Sequence, residues 1–164
     1  MIRSLLRNGF SIDTLIGLCA SAFVVFCTLP IHEYAHALVA TKLGDDTPRL
    51  SGRLTLNPLA HIDIMGAVMI LLVGFGYAKA VPVNLRNFKN PKAGMALTAA
   101  AGPASNLIMS VIFILLSNIS FVIYCKTNDS IVARVAFLFF FYAAMINISL
   151  AVFNLIPIPP LDGS

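Results

Sequence analysis

Residues 32–36 read His32-Glu33-Tyr34-Ala35-His36, and they follow a long apolar run and lead into the short apolar stretch Ala37 to Ala40. On a helix, residues four apart lie one above the other on one face. His32 and His36 can therefore offer two imidazoles to a single metal ion. Glu33, beside the first ligand, can reach a water held by that metal without ligating it. Two ligands and a general base at this spacing form the minimal unit of a metal-dependent hydrolytic site. The apolar setting sharpens the signal. An ionisable side chain at membrane depth costs roughly 2.5–3.5 kcal/mol on insertion scales, so three within five residues call for a compensating partner. A cation supplies one. The plainer alternative is a helix that emerges at the headgroups with its polar residues in water.

The surroundings of the motif are those of a membrane protein. Of 164 residues 59% are hydrophobic and only 11% charged, against about 25% charged in soluble domains. The whole chain, 1–164, reads as one integral-membrane domain. The net charge of +4 fits cytoplasmic loops better than nucleic-acid binding, and no basic run is interleaved with aromatics. Cys19, Cys27 and Cys125 are odd in number and lack C-x-x-C spacing, which argues against structural disulfides and a cysteine zinc site. Arg3, Arg7 and the Ala20-Ser21-Ala22 stretch resemble a signal peptide. The apolar run continues well past that site, however, so the segment reads as a retained helix.

Outward from the motif, Ser11 or Asp13 can cap a first helix whose apolar run spans Thr14 to Leu29. Pro30 should interrupt or kink it just before His32. Gly44, Asp45, Asp46 and Pro48 are stop signals after the motif. From Arg49 to Asn57, Leu50, Leu54 and Leu56 alternate with polar residues, which predicts a short surface strand or hairpin, with Val81 and Val83 as possible partners. Such an edge could add a substrate strand; an ordinary loop is the alternative. Ile64 to Ala78 is apolar but shorter than the ~20 residues of a spanning helix, which predicts a re-entrant or interfacial segment. Asn84 to Lys92 is a basic loop. Ala93 to Leu116, apolar as far as Cys125, and Ile131 to Ile156 complete three full spans. The fold class is all-α and polytopic: three spans, a re-entrant or interfacial segment, and a short strand region.

Three motifs on these segments agree. H-E-Y-A-H at 32–36, G-P-A-S-N at 102–106 and N-L-I-P-I-P-P-L-D-G at 154–163 together resemble the site-2 protease family of intramembrane zinc metalloproteases. The likeness is greatest to its small prokaryotic members, and the stretch from Gly52 to Asp63 resembles that subgroup too. The resemblance implies Zn2+ held by His32, His36 and Asp162, with Glu33 activating water. It implies that Asn154 contacts substrate backbone or the oxyanion and that Asn106 lines the same cavity. It also implies a transmembrane protein as substrate, cut within the lipid bilayer of a prokaryotic cell. Read alone, Asp162 is better explained as a helix N-cap and Asn106 and Asn154 can be glue between helices; His61, the only other histidine, competes as a third ligand but reads rather as a surface or capping loop residue outside the metal shell. The chain ends two residues after Asp162, where family members continue into a further helix, so truncation at the C-terminus is expected. The segment from Gly44 to Lys92 is too short for a PDZ domain.

For Asp162 to meet the histidines, the first and last spans must run the same way, with Ala93 to Leu116 returning between them. A re-entrant Ile64 to Ala78 then puts seven basic residues on the motif side and four on the other, which places the site towards the cytoplasm. The rival reading is a non-proteolytic metal-binding membrane protein or an inactive relative. A metal carrier would spread ionisable residues through several spans, whereas here they gather at His32, Glu33, His36 and Asp162.

Overall fold

The computed structural model describes residues 11–61, 63–73, 79–127 and 130–156. These residues are all-helical, with three helices long and apolar enough to cross a membrane, and no strand occurs among them.

The first rod joins α1 (Ile12–Phe23), a π-helical turn (Val24–Thr28) and α2 (Leu29–Lys42). Ser11 caps it: its backbone is extended and its hydroxyl accepts from the Thr14 N–H at 3.2 Å. Pro30 does not break the rod. The π-turn immediately before it re-aims the chain, with the Leu29 N–H reaching back to Val24 O, and the Thr28 hydroxyl donates to the same carbonyl at 3.1 Å. Widening one turn is a known way for a helix to absorb a local misfit. The rod stops where expected. Gly44 has φ +106°, and Gly44 N–H to Thr41 O at 3.1 Å and Asp45 N–H to Ala40 O at 3.0 Å close a Schellman cap.

The strand expected from Arg49 to Asn57 is absent. Residues Thr47–Leu50 form a single helical turn, α3, closed by the same device: Gly52 has φ +68°, Gly52 N–H meets Arg49 O at 3.1 Å and Arg53 N–H meets Pro48 O at 2.8 Å. Pro48 in the first turn and Gly52 beyond the last favour this turn locally. Val81 and Val83 form no bridge to it, so the period-two pattern has no ladder to join. A second short turn, α4 (Pro58–His61), follows.

Helix α5 (Ile64–Val73) is capped by Asp63 Oδ1 at the Met65 and Gly66 N–H groups, each 3.0 Å away. Its ten described residues rise about 15 Å, half the ~30 Å hydrocarbon core. The chain also comes back to where it left: the Lys79 N–H donates to His61 O at 2.9 Å, and Asn87 Nδ2 donates to Asp45 Oδ1 at 2.7 Å. The two ends of the segment therefore meet on one side of the bundle, which suits a re-entrant or interfacial element.

After a 3-10 turn (Leu85–Asn87), Asn90 caps α6 (Pro91–Lys126), accepting from the Ala93 N–H at 3.2 Å with Pro91 in the first turn. Ser130 then precedes α7 (Ile131–Asn154). Contacts give the directions. Phe23 meets Phe113 (ring centroids 5.8 Å) while His36 meets Thr98, so α6 runs antiparallel to the rod. Asp13 pairs with Arg134 at 3.2 Å and Phe23 meets Phe139 at 5.4 Å, so α7 runs parallel to it. The first and last spans thus run the same way, with α6 between them in direction. The core joins Val24, Phe113, Ala143, Ala144 and Leu150. Outward positions of α6 such as Ile108, Val111 and Leu115 are exposed, while Asn106, Ser110 and Ser117 are buried. Polar inside and apolar outside is the arrangement suited to lipid, where helices associate through packing and hydrogen bonds.

Candidate metal centre

The rod brings His32 and His36 to its α6 face, where they are 1% and 5% exposed. Their Nε2 atoms lie 3.1 Å apart and the rings meet edge to face at 4.7 Å. His36 Nδ1 is 2.7 Å from Thr98 O on α6. A carbonyl oxygen only accepts, so this bond assigns the proton to Nδ1 and leaves a lone pair on Nε2. On α7, Asn154 Nδ2 is 3.5 Å from His32 Nε2, and an amide nitrogen only donates. In that tautomer both Nε2 atoms turn their lone pairs towards one space, where a bound cation would be held by the two of them.

The fit to zinc can be tested on these atoms. Two nitrogens at about 2.0–2.1 Å from a tetrahedral centre lie about 3.3 Å apart, close to the observed 3.1 Å. The backbone carbonyl behind His36 is the outer partner that metal-ligating histidines take. Gly102 completes the cradle. A Cβ placed there would sit 2.2 Å from His36 Nε2 and 2.6 Å from His32 Nε2. Only a residue without a side chain lets α6 pass while leaving room at the two nitrogens. Sequence reading found Gly102 as part of a motif but not this steric role, which depends on how α6 registers against the rod.

Glu33 is buried, at 6% exposure, on the turn that carries His32. Asn106, one turn beyond Gly102, is 1% exposed, and neither of its amide atoms has a hydrogen-bond partner among the described residues. The structure therefore gathers His32, His36, Asn154 and Gly102 in direct proximity. Asp162 lies outside the described residues. Among those described, no group of three His, Cys, Asp or Glu side chains is placed to hold a metal. His61 stands apart: its Nε2 bonds Thr55 O at 2.7 Å.

The model of peptidase family M50 matches residues 116–164. The chain is 46% identical over 136 residues to "Putative zinc metalloprotease YwhC" of Bacillus subtilis (strain 168), an alignment covering 81% of this chain and 60% of that protein. It is 31% identical over 141 residues to "Putative zinc metalloprotease Rip2" of Mycolicibacterium smegmatis, covering 83% of this chain and 51% of that protein. The Rip2 of Mycobacterium tuberculosis (strain ATCC 25618 / H37Rv) is 30% identical over the same length, with the same coverage. The chain thus spans about half to three-fifths of the length of these relatives. No solved structure matches it.

Proposed function

The chain belongs to peptidase family M50, the site-2 protease family, and from that premise we propose that it is an intramembrane zinc endopeptidase that cuts transmembrane segments of other proteins. The observation that carries the reading is the convergence of two histidine Nε2 atoms, 3.1 Å apart, on a space that Gly102 keeps clear. His32, His36 and Asp162 hold the metal in this proposal. Zinc bound there supplies a water acidic enough to ionise near pH 7 and polarises a nearby carbonyl.

The protein's own groups do the rest. Glu33 accepts the proton of the attacking water on a carboxylate oxygen and returns it to the leaving amide nitrogen. Asn154 and Asn106 donate N–H groups to the carbonyl oxygen as it gains negative charge, in a water-poor site where such donors count most. The buried packing of the rod against α6 and α7 keeps bulk water out. The substrate is a helix that unwinds locally, because a peptide bond inside a regular helix is shielded by its own hydrogen bonding. Gly or Pro near the cut site should therefore speed cleavage. The site faces the cytoplasm of a prokaryotic cell membrane, by the excess of basic residues on its side.

The test uses full-length native protein reconstituted with a model transmembrane substrate. Glu33→Gln keeps the shape and a hydrogen-bond acceptor but cannot take a proton at neutral pH. It should bind zinc and substrate normally and lose about 10²- to 10⁴-fold in cleavage rate. Equal cleavage by wild type and Glu33→Gln would defeat the mechanism. Cleavage by neither, with zinc retained by both, would favour a non-proteolytic metal-binding relative.

A further inference from the structure

A second polar layer lies beneath the histidine pair. Phe113 and Phe140 stack at 6.3 Å and 18°, and Ser117 Oγ donates to Phe137 O at 3.3 Å. These contacts fix the antiparallel register of α6 and α7. Asn106 lies seven residues before Phe113 and Asn147 seven residues after Phe140, about two turns along each helix on the same face. The two amides therefore stand opposite each other at one level of the bundle.

Both are sealed from outside, at 1% and 0% exposure. Asn147 Nδ2 donates back to Ala143 O in its own helix at 2.8 Å, which turns its oxygen outward. That oxygen, and both amide atoms of Asn106, have no partner among the described residues. The amides do not bond each other directly, yet they offer complementary groups: an acceptor on Asn147 and two N–H donors on Asn106. Buried polar atoms left in this way are commonly joined by an internal water.

We propose that Asn147 is a positioning residue that orients the Asn106 amide through one resident water held between α6 and α7. The water donates to Asn147 Oδ1 and accepts from Asn106 Nδ2. An asparagine amide fits its pocket almost equally well in two orientations, with nitrogen and oxygen exchanged. A water anchored on the Asn147 acceptor selects one of them. Helical side chains lean towards the helix N-terminus, so Asn106 reaches towards Gly102 and the histidines. Its remaining N–H is then held on the side where a developing oxyanion needs a donor. The inference rests on the proposed role of Asn106 in the protease reaction.

The experiment compares Asn147→Leu, Asn106→Leu and the double variant in the full-length reconstituted protein. Both single variants should lower kcat, Asn147→Leu by about tenfold as for other outer-shell partners, with KM and zinc content unchanged. The double variant should be no worse than the worse single one, because one unit has been removed twice. Asn147→Gln, which keeps the acceptor, should recover most of the rate. An unimpaired Asn147→Leu beside an impaired Asn106→Leu would overturn the inference and leave the protease reading intact. Losses that multiply in the double variant would overturn it as well. An unimpaired Asn106→Leu would remove the role of Asn106 itself, and the inference with it. A second measurement needs no variant: side-chain NMR of amide-labelled asparagine in the wild-type protein should show a bound-water cross-peak to both amides. Its absence at either amide would refute the water link.

Discussion

Two buried polar centres lie along and just past one helix, at His32 and His36 and at Asp45, and they are built in different ways. Asp45, just past the end of α2, is fully buried and fully paired. Its carboxylate accepts from the Thr47 N–H at 3.1 Å, the Thr47 hydroxyl at 2.5 Å, the Asn84 N–H at 2.7 Å and Asn87 Nδ2 at 2.7 Å. Burial pushes its pKa up, but those hydrogen bonds outweigh burial and leave it below the ordinary carboxylate value. The histidine centre differs. Its two Nε2 atoms stand 3.1 Å apart beside the clearance at Gly102, and Asn106, one turn from Gly102, keeps both amide atoms unmet among the described residues. A closed polar centre has its ligands already and serves as a knot between loops. An open one is completed from outside. Burying a polar group without partners costs about 1–3 kcal/mol, so a fold that retains such groups does so where something else will bind.

The largest break in this contrast comes from closing the open centre with one methyl group. Gly102→Ala puts a carbon 2.2 Å from His36 Nε2, where the metal should go. We expect metal analysis of the purified variant to show near-complete loss of zinc and of cleavage, matching His32→Ala, while the helical circular dichroism stays intact. Zinc retained at wild-type stoichiometry in Gly102→Ala would move the metal away from the two Nε2 atoms. Asp162→Ala should likewise lose most of the zinc, whereas His61→Ala should keep it. The opposite pattern would exchange their roles.

Opening the closed centre should do less, and to a different property. Asp45→Ala leaves the Asn84 N–H and the Asn87 amide without their acceptor, at a cost of about 1–3 kcal/mol. Thermal unfolding of the detergent-solubilised protein should fall while zinc stoichiometry holds. Loss of zinc with unchanged thermal stability would make Asp45 part of the site. The same tie bears on topology, because it holds the 45–47 and 84–87 stretches together. Single cysteines at Ser51 and Asn87 should therefore label from one face of the membrane, the cytoplasmic one, and labelling from opposite faces would refute a re-entrant α5.

What could be read from sequence follows the range of the interactions. The spans at Thr14 to Leu29, Ala93 to Leu116 and Ile131 to Ile156 were legible because apolar length is a local property. So was the His32–His36 face, set by helical period alone. The strand expected at Arg49 to Asn57 failed because alternation says nothing about a partner, and Pro48 with Gly52 closes a turn before a ladder can form. Pro30 was legible as a disturbance, but its accommodation by a π-turn depends on the packing of Val24, Val25 and Thr28, all buried. The clearance at Gly102, the burial of Asn106 and Asn147 between α6 and α7 and the hub at Asp45, which read only as a helix stop, all arise from the register between segments far apart in sequence. No local pattern carries that information.

His61 lies between the two types of centre, and this yields the smallest expected effect. It is buried, with Nε2 bonded to Thr55 O at 2.7 Å and Nδ1 without a partner among the described residues. Arg53 ties the same loop through its guanidinium to Ala60 O and, at 3.4 Å, to Lys79 O. Burial lowers the His61 pKa, the Thr55 carbonyl raises it and the Arg53 charge lowers it; the net value is below the ordinary 6.5. The folded loop therefore favours the neutral ring. Its contribution to stability is present above pH 6.5 and is lost as the pH falls below that value towards the depressed folded pKa. Hydrogen-exchange protection factors across residues 53–61, which correct for the intrinsic pH dependence of exchange, should fall below that pH in the wild type, and the fall should vanish in His61→Gln, which cannot gain a proton. Zinc content should stay constant through the first part of this change, since the loop knot and the histidine pair are separate centres. Protection factors that are flat from about pH 8 to about pH 5 would show that the ring is not held neutral by its surroundings. Zinc lost in step with the loop would show that the two centres are one.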